Sequence, residues 1–394
     1  MAKKKKDEKK TRRANGEGSI IELKNGTYRA DITLPNGKRK SYYGKSRKIV
    51  FDKIQEALAQ AQKGQFVDTN KLTVGEWVTH WLKEYSAKKT KQSTWESYDY
   101  KTNKHIIPDL GDIKLQKLQT STVQKFYNSK IDAGLSTSHV RHMHVILKQA
   151  LDQAVRENLI IKNVVNDTEP PTVKNKRETI FFTEDQLETL ITAARSHRLA
   201  AAFILDISTG LRRGELLGLC WDAVDLNRGT ITIKRQLLGL KDGPVLDEDV
   251  KTSKSKRTIP IPANIIKELK AHKTRQKREK LLYGPDYQDN KLLFCQPDGA
   301  MIEPKNFTRW FQTILRQVGL PKARLHDIRH SHASLLLKRG INPKVIQERL
   351  GHSTIGITLD LYSHLTPGMQ EEASNMINDL FADKRTPPKT GEAE

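Results

Sequence analysis

Between residues 72 and 160 the chain keeps an unbroken helical rhythm, and no other feature limits the possible folds as strongly. Over 73–85, 94–105, 121–132 and 136–157 the apolar residues return every three or four positions. Val74, Trp77, Val78, Trp81 and Leu82 make the first stripe. Val140, Met143, Leu147, Ala150, Leu151, Ala154 and Val155 make the last. Stripes of this kind are stable in water only when buried against one another. A compact all-α bundle is therefore expected over 72–165.

The rhythm changes on both sides of the bundle. Upstream, 19–23, 27–33 and 38–43 read as three short strands, separated by Asn25-Gly26 and Asn36-Gly37, dipeptides suited to tight hairpin turns. A helix is expected over 46–63, its stripe of Ile49, Val50, Ile54, Ala57, Leu58 and Ala61 covering one face of the sheet. The other face would then present Arg29, Arg39 and aromatic residues. Downstream, 163–177 reads as a linker, broken by Pro170-Pro171 and mixed charges. The pattern beyond it is α+β. Thr183 and Gln186 make a capping box before Leu187, Leu190 and Ile191. Strands are expected at 230–236 and 257–261, and helices at 306–318, 325–338, 343–350 and 370–382. The fold expected is multidomain: a basic three-stranded sheet plus helix at 1–66, an all-α helical bundle at 72–165, and a mainly α (α+β) domain at 178–382. A tail at 383–394 completes it.

Charge narrows the function. There are 69 Lys and Arg against 46 Asp and Glu, a formal net charge of +23. Each cation placed on a phosphate releases counterions, so a surplus of this size favours nucleic acid as partner. No apolar run approaches the roughly 20 residues of a membrane helix. Residues 1–64 alone hold 18 Lys and Arg against 7 Asp and Glu, and a groove-binding role for the sheet follows from that density. The opening MAKKKKDEKKTRR lacks the apolar core of a secretion signal and reads as a solvated arm, either a plain tail or a strap for DNA phosphates. Cys220 and Cys295 have no metal spacing and read as reduced residues of an intracellular protein.

Three segments carry candidate chemistry. STGLRRGELLGLCW (208–221) sets Arg212, Arg213 and Glu215 at the start of an apolar helix. LHDIRHSHASLLL (325–337) sets His326 and Arg329 three apart, on one helical face. His330, four from His326, raises a metal pair, but no glutamate follows His326 as a zinc-protease motif requires. ERLGHSTIGITLDLYSHL (348–365) carries His352 and, ten residues on, Tyr362. Two guanidiniums offer permanently charged forks matched to a phosphate. A phenol with a pKa of about 10 needs a proton acceptor and a cationic site to become a nucleophile. Histidines are the proton handlers near neutrality.

TGLRRGEL, HDIRH, LGHSTIGIT and LYSHL resemble, in order, the signature boxes of the tyrosine recombinases; the resemblance is close over 178–370 and extends upstream by arrangement. It implies an enzyme, a site-specific recombinase or integrase, that cleaves and rejoins DNA through a 3′-phosphotyrosyl intermediate without ATP, metal or cofactor. The matched residues are Arg212, His326, Arg329, His352 and the nucleophile Tyr362, with Glu215 supporting Arg212. The family's hairpin lysine falls in VKTSKSKRTIPIP (250–262), where Lys251 aligns best and Lys254 and Lys256 stand close by. The layout is similar to integrases of phages and conjugative transposons, implying integration and excision of a mobile element. A dimer-resolving recombinase and a non-catalytic DNA-binding regulator are the alternatives. Also implied are double-stranded DNA at core and arm sites, a monomer off DNA and a homotetramer in synapsis, DNA-bending and excision factors, no membrane, and work in the bacterial cytoplasm on the nucleoid.

Overall fold

The computed structural model describes residues 19–33, 39–62, 71–172, 179–248, 256–363, 374 and 377, the side chains at 19, 57–62 and 360–363 excepted. The arm at 1–18, the Asn36-Gly37 turn, Lys251, Lys254 and nearly all of the helix expected at 370–382 lie outside the described residues. The chain divides into two units, Met1–Asn175 and Lys176–Glu394.

The first unit opens with β1 (Ser19–Glu22), β2 (Tyr28–Thr33) and β3 (Arg39–Gly44), an antiparallel sheet in that order. At the first turn Gly26 takes φ 72, and Leu23 and Thr27 close the hairpin at 2.8 Å. Helix α1 (Arg47–Gln62) lays Val50 and Ile54 on Ala30 and Ile32. Ile49, expected in that stripe, is exposed instead. The alternation puts Arg29, Asp31, Arg39, Ser41 and Tyr43 on the opposite face. Arg29 sits over the Tyr43 ring and bonds Asp31 at 3.1 Å, so this basic face also carries a buried acid.

The bundle follows. Thr73 and Glu76 form the capping box of α2 (Val74–Trp81), which runs through a π turn into α3 (Ala87–Lys89). Then come α4 (Gln92–Lys101), a second π turn and α5 (Ile107–Leu110), α6 (Thr120–Asp132) and α7 (Thr137–Arg156). All the apolar residues expected in α7 are buried except the half-buried Val155, and Trp77 donates its indole N–H to Ala150 O at 2.8 Å. A 3₁₀ turn at Val164–Asp167 buries Val165 in the bundle core, and Asn163 bonds Asp152 at 2.7 Å, so packing continues into the segment read as linker.

In the second unit α8 (Glu184–Ala194) carries the expected capping box of Thr183 and Gln186. It packs on α9 (Ala200–Thr209), which is buried on nearly every side. After α10 (Arg213–Leu217), β4 (Val224–Asp225), β5 (Thr230–Ile233) and β8 (Arg257–Pro260) form one antiparallel sheet, and β6 (Gln236–Leu240) pairs with β7 (Gly243–Asp247) as a hairpin. The strand expected at 230–236 thus ends at Ile233, and Lys234-Arg235 leads into the separate hairpin. Helices α11 (Ala263–Tyr283), α12 (Pro304–Gln317), α13 (Leu325–Lys338), α14 (Pro343–Leu350) and α15 (Gly356–Ser363) complete it. Phe203, Phe294, Phe307, Phe311 and Ile328 are among its large core residues. No helix among the described residues is long and apolar enough to cross a membrane.

Candidate active site

The last turn of α14 organises the site. Three consecutive backbone carbonyls there each accept from a different arginine: Arg349 O from Arg257 Nε at 2.7 Å, Leu350 O from Arg329 Nη2 at 2.6 Å, and Gly351 O from Arg212 Nη2 at 2.7 Å. The final carbonyls of a helix have no partner within it and carry its partial negative charge, so cations collect there. Arg329 has a second such partner, Gly210 O at the end of α9, at 2.9 Å. Both helices end on a left-handed glycine, Gly210 at φ 62 and Gly351 at φ 68. A Cβ on Gly351 would stand 2.9 Å from Arg257 Nη1, and one on Gly210 2.9 Å from Leu350 Cδ2. The glycines of TGLR and LGH therefore let two helix ends close around one guanidinium.

Glu215 joins two of these arginines. It is 3 % exposed, and its Oε1 accepts from Arg212 Nη1 at 2.7 Å while Oε2 accepts from Arg257 Nη2 at 2.8 Å and from Arg212 N at 3.1 Å. Burial pushes its carboxyl pKa up, but the hydrogen bond and charge of Arg257, then the charge of Arg212, bring it below the ordinary value. It stays ionised at neutral pH. Arg329 is buried, and among the described residues no carboxylate forms an ion pair with it. Burial, then repulsion from Arg212, lowers its pKa to about 9, which still leaves it charged at neutrality. The carboxyl of Asp206, on α9, forms no ion pair with Arg329; burial raises its pKa well above the ordinary value, against the opposing charge of Arg329. Two guanidiniums thus share one ionised carboxylate, while the third, Arg329, makes no ion pair among the described residues and Arg212 stays half-open.

The histidines share this field. His352 follows the carbonyl rack directly, is buried, and meets the Thr358 hydroxyl through Nδ1 at 2.9 Å. Burial first, then Arg329 and Arg212, push its pKa down to about 3. His326 keeps an edge open to solvent and packs edge-to-face on His330, ring centres 4.7 Å apart. Crowding by protein, then His330, Arg329 and Arg212, hold it below the usual imidazole value. Among the described residues no group of three His, Cys, Asp or Glu could hold a metal ion. Arg213 turns away from the site and donates to Thr308 Oγ1 at 2.9 Å, which separates it from Arg212.

A model described as the phage integrase family matches residues 180–369, and one described as phage integrase, N-terminal SAM-like domain matches 73–131. A tyrosine recombinase XerC-like protein of Caldanaerobacter subterraneus subsp. tengcongensis is 32% identical over 383 residues, covering 91% of this chain and 98% of that one. The chain belongs to the phage integrase family of tyrosine recombinases. The ICEBs1 integrase of Bacillus subtilis is 27% identical over 74% of this chain and 79% of its own. A Tn1549 transposon integrase fragment, solved in complex with transposon right end DNA, superposes with a TM-score of 0.64 at 22% identity, covering 79% of this chain and all of that one. A lambda integrase tetramer bound to a Holliday junction gives 0.56 at 22% identity, covering 85% of this chain and 95% of that chain.

This recombinase is thus a site-specific enzyme of the kind that serves mobile elements. Of the candidates read from its sequence, Arg212, Glu215, His326, Arg329 and His352 converge around the α14 terminus. Tyr362 lies on α15, which packs against α13 and α14; its side chain is outside the described residues, as are Lys251 and Lys254. Lys256 is described and exposed. Arg257 was missed, although it stands in the RTIPIP segment. The signal was an arginine opening a strand whose next inward residue, Ile259, is core.

Proposed function

We propose that the chain cuts and rejoins duplex DNA at the attachment sites of a mobile element such as a prophage or conjugative transposon, with Tyr362 as nucleophile. The observation that carries this reading is the carbonyl grip on two guanidiniums: Arg329 and Arg212 are fixed without losing their charge, and among the described residues no carboxylate forms an ion pair with Arg329. A scissile phosphate is the anion these two forks would meet. Charge grows on its non-bridging oxygens towards the pentacovalent state, where a preset donor contributes a few kcal/mol.

The phenol oxygen of Tyr362 attacks phosphorus, its proton passing to a neutral imidazole of the His326 and His352 pair. The bond from phosphorus to the 5′ oxygen breaks, and Lys251 protonates that oxygen. A 3′-phosphotyrosyl ester results. It preserves a phosphoester linkage, so a 5′ hydroxyl from the partner strand reverses the chemistry without a nucleotide being consumed. Residues 72–165 would grip the core site. The outer face of the N-terminal sheet, with Arg29, Arg39 and Tyr43, would bind arm sites. The complex would be a homotetramer, as in the lambda integrase assembly on a Holliday junction, formed from monomers in the bacterial cytoplasm with bending and excision factors.

The test is a nicked suicide duplex carrying the attachment core read from DNA flanking the gene. Wild-type protein should become covalently joined to it. Tyr362→Phe should bind the duplex equally and give no adduct; an adduct from this variant removes Tyr362 as nucleophile.

A further inference from the structure

We infer that Arg257 is a positioning residue for strand cleavage: by occupying one side of Glu215 it leaves Arg212 free to face the scissile phosphate. This deepens the recombinase reading of the same site and rests on it.

Arg257 is not placed to touch DNA. Its side chain is 8 % exposed, against 40 % for Arg212. Nε is bound to Arg349 O, and both Nη atoms face Glu215, at 3.3 Å to Oε1 and 2.8 Å to Oε2. The forked geometry makes this possible; an ammonium could not hold the helix terminus and both carboxylate oxygens together. Arg212 therefore meets Glu215 through a single side-chain donor, Nη1, while its Nη2 is held by Gly351 O. A guanidinium and a carboxylate left alone prefer two parallel bonds. Without Arg257, the second oxygen of Glu215 becomes available, and the Arg212 fork turns inwards to take it. Donors meant for phosphate are lost to the protein. The absent Cβ of Gly351 leaves the room that Arg257 uses.

Burial alone would raise the Glu215 pKa, and Arg257 is the main group opposing this. Removing Arg257 should let acid protonate Glu215 at a higher pH, and a neutral Glu215 no longer orients Arg212 through its carboxylate. The acid limb of a pH–rate profile reports this, whereas a purely structural role would not move it.

The experiment uses the full chain and the nicked attachment-core duplex, reading single-turnover adduct formation across pH together with duplex affinity. Arg257→Met should keep its affinity, cleave about a hundredfold more slowly, as for a misplaced catalytic group, and shift its acid limb to higher pH. Arg257→Lys should restore much of the limb, through charge, but little of the rate, lacking the fork. The double variant Arg257→Met with Glu215→Gln should cleave no more slowly than Glu215→Gln alone. A wild-type rate with an unmoved acid limb in Arg257→Met overturns the proposal, as does additive loss in the double variant. If Arg257→Met does not fold, Arg257→Lys carries the test, and a wild-type rate there is equally fatal. No adduct from wild-type protein would bring down the recombinase reading itself.

Discussion

Arg329 is gripped by Gly210 O and Leu350 O, dipoles that orient a guanidinium without cancelling its charge. The surrounding histidines feel that charge. Arg329 contributes to the lowering of His352, with a pKa of about 3, and of His332, at about 4, for both of which burial is the first cause. His332 lies one turn after Ile328 in the core and is fixed by Ile207 O and Arg349. Imidazoles held below their unfolded pKa of about 6.5 are neutral in the folded chain. The unfolded chain takes up protons that the folded one refuses, so the stability linked to these groups is present above about pH 6.5 and declines as pH falls towards 4. We expect urea unfolding of the second unit to lose roughly 2 kcal/mol for each of the two histidines by about pH 5. A midpoint unchanged between neutral pH and pH 5 would contradict that. Bound DNA, by bringing the phosphate, should lessen the loss. At this scale the sequence was legible where a residue type had one purpose, as with Arg212, Arg329 and His352. Arg257 was not, because its fork is turned onto Glu215 and Arg349 inside the protein and no spacing in the sequence marks that.

Among the elements, α14 does the most with the least: eight residues whose last two carbonyls, with that of the capping Gly351, set three guanidiniums. Its ends were readable, since Asn342 caps it, Pro343 begins it and Gly351 ends it. Gly351→Ala should cost about 1–2 kcal/mol from the left-handed backbone alone. It should slow cleavage far beyond what that predicts, because the new methyl meets Arg257. Adduct kinetics measured beside thermal unfolding separate the two, and a rate loss no larger than the stability loss would count against the rack. Helix α11 was the element the sequence concealed. Its buried positions are Ile265, Leu269, His272 and Gln276, a regular stripe in which half the members are polar. His272 bonds Leu293 O at 2.8 Å and Gln276 bonds Leu292 O at 3.0 Å, so hydrogen bonds replace apolar contact. A hydrophobic period cannot register them. Helix α9 was hidden for the opposite reason, being buried on nearly every side, so that no polar face marks its period.

For the whole molecule, the three expected patterns each produced their own core: a small one under the sheet, one in the bundle and one in the second unit. A chain built this way should lose functions separately. Deleting residues 1–66 should leave cleavage of a nicked core-site duplex intact and abolish integration into a target carrying arm sites. Loss of both activities would mean that the sheet is not a separate arm-binding module. The second unit carries a further consequence in the way it holds its arginines. A carbonyl belongs to every residue alike, so a grip made of carbonyls is indifferent to the side chains along the helix that offers it. Positions such as Lys344 and Val345, both on α14, can drift over generations while the grip persists, provided the helix still ends where it does. In this chain the grip is a shape in the backbone, and few of the letters that build α14 are obliged to stay for it.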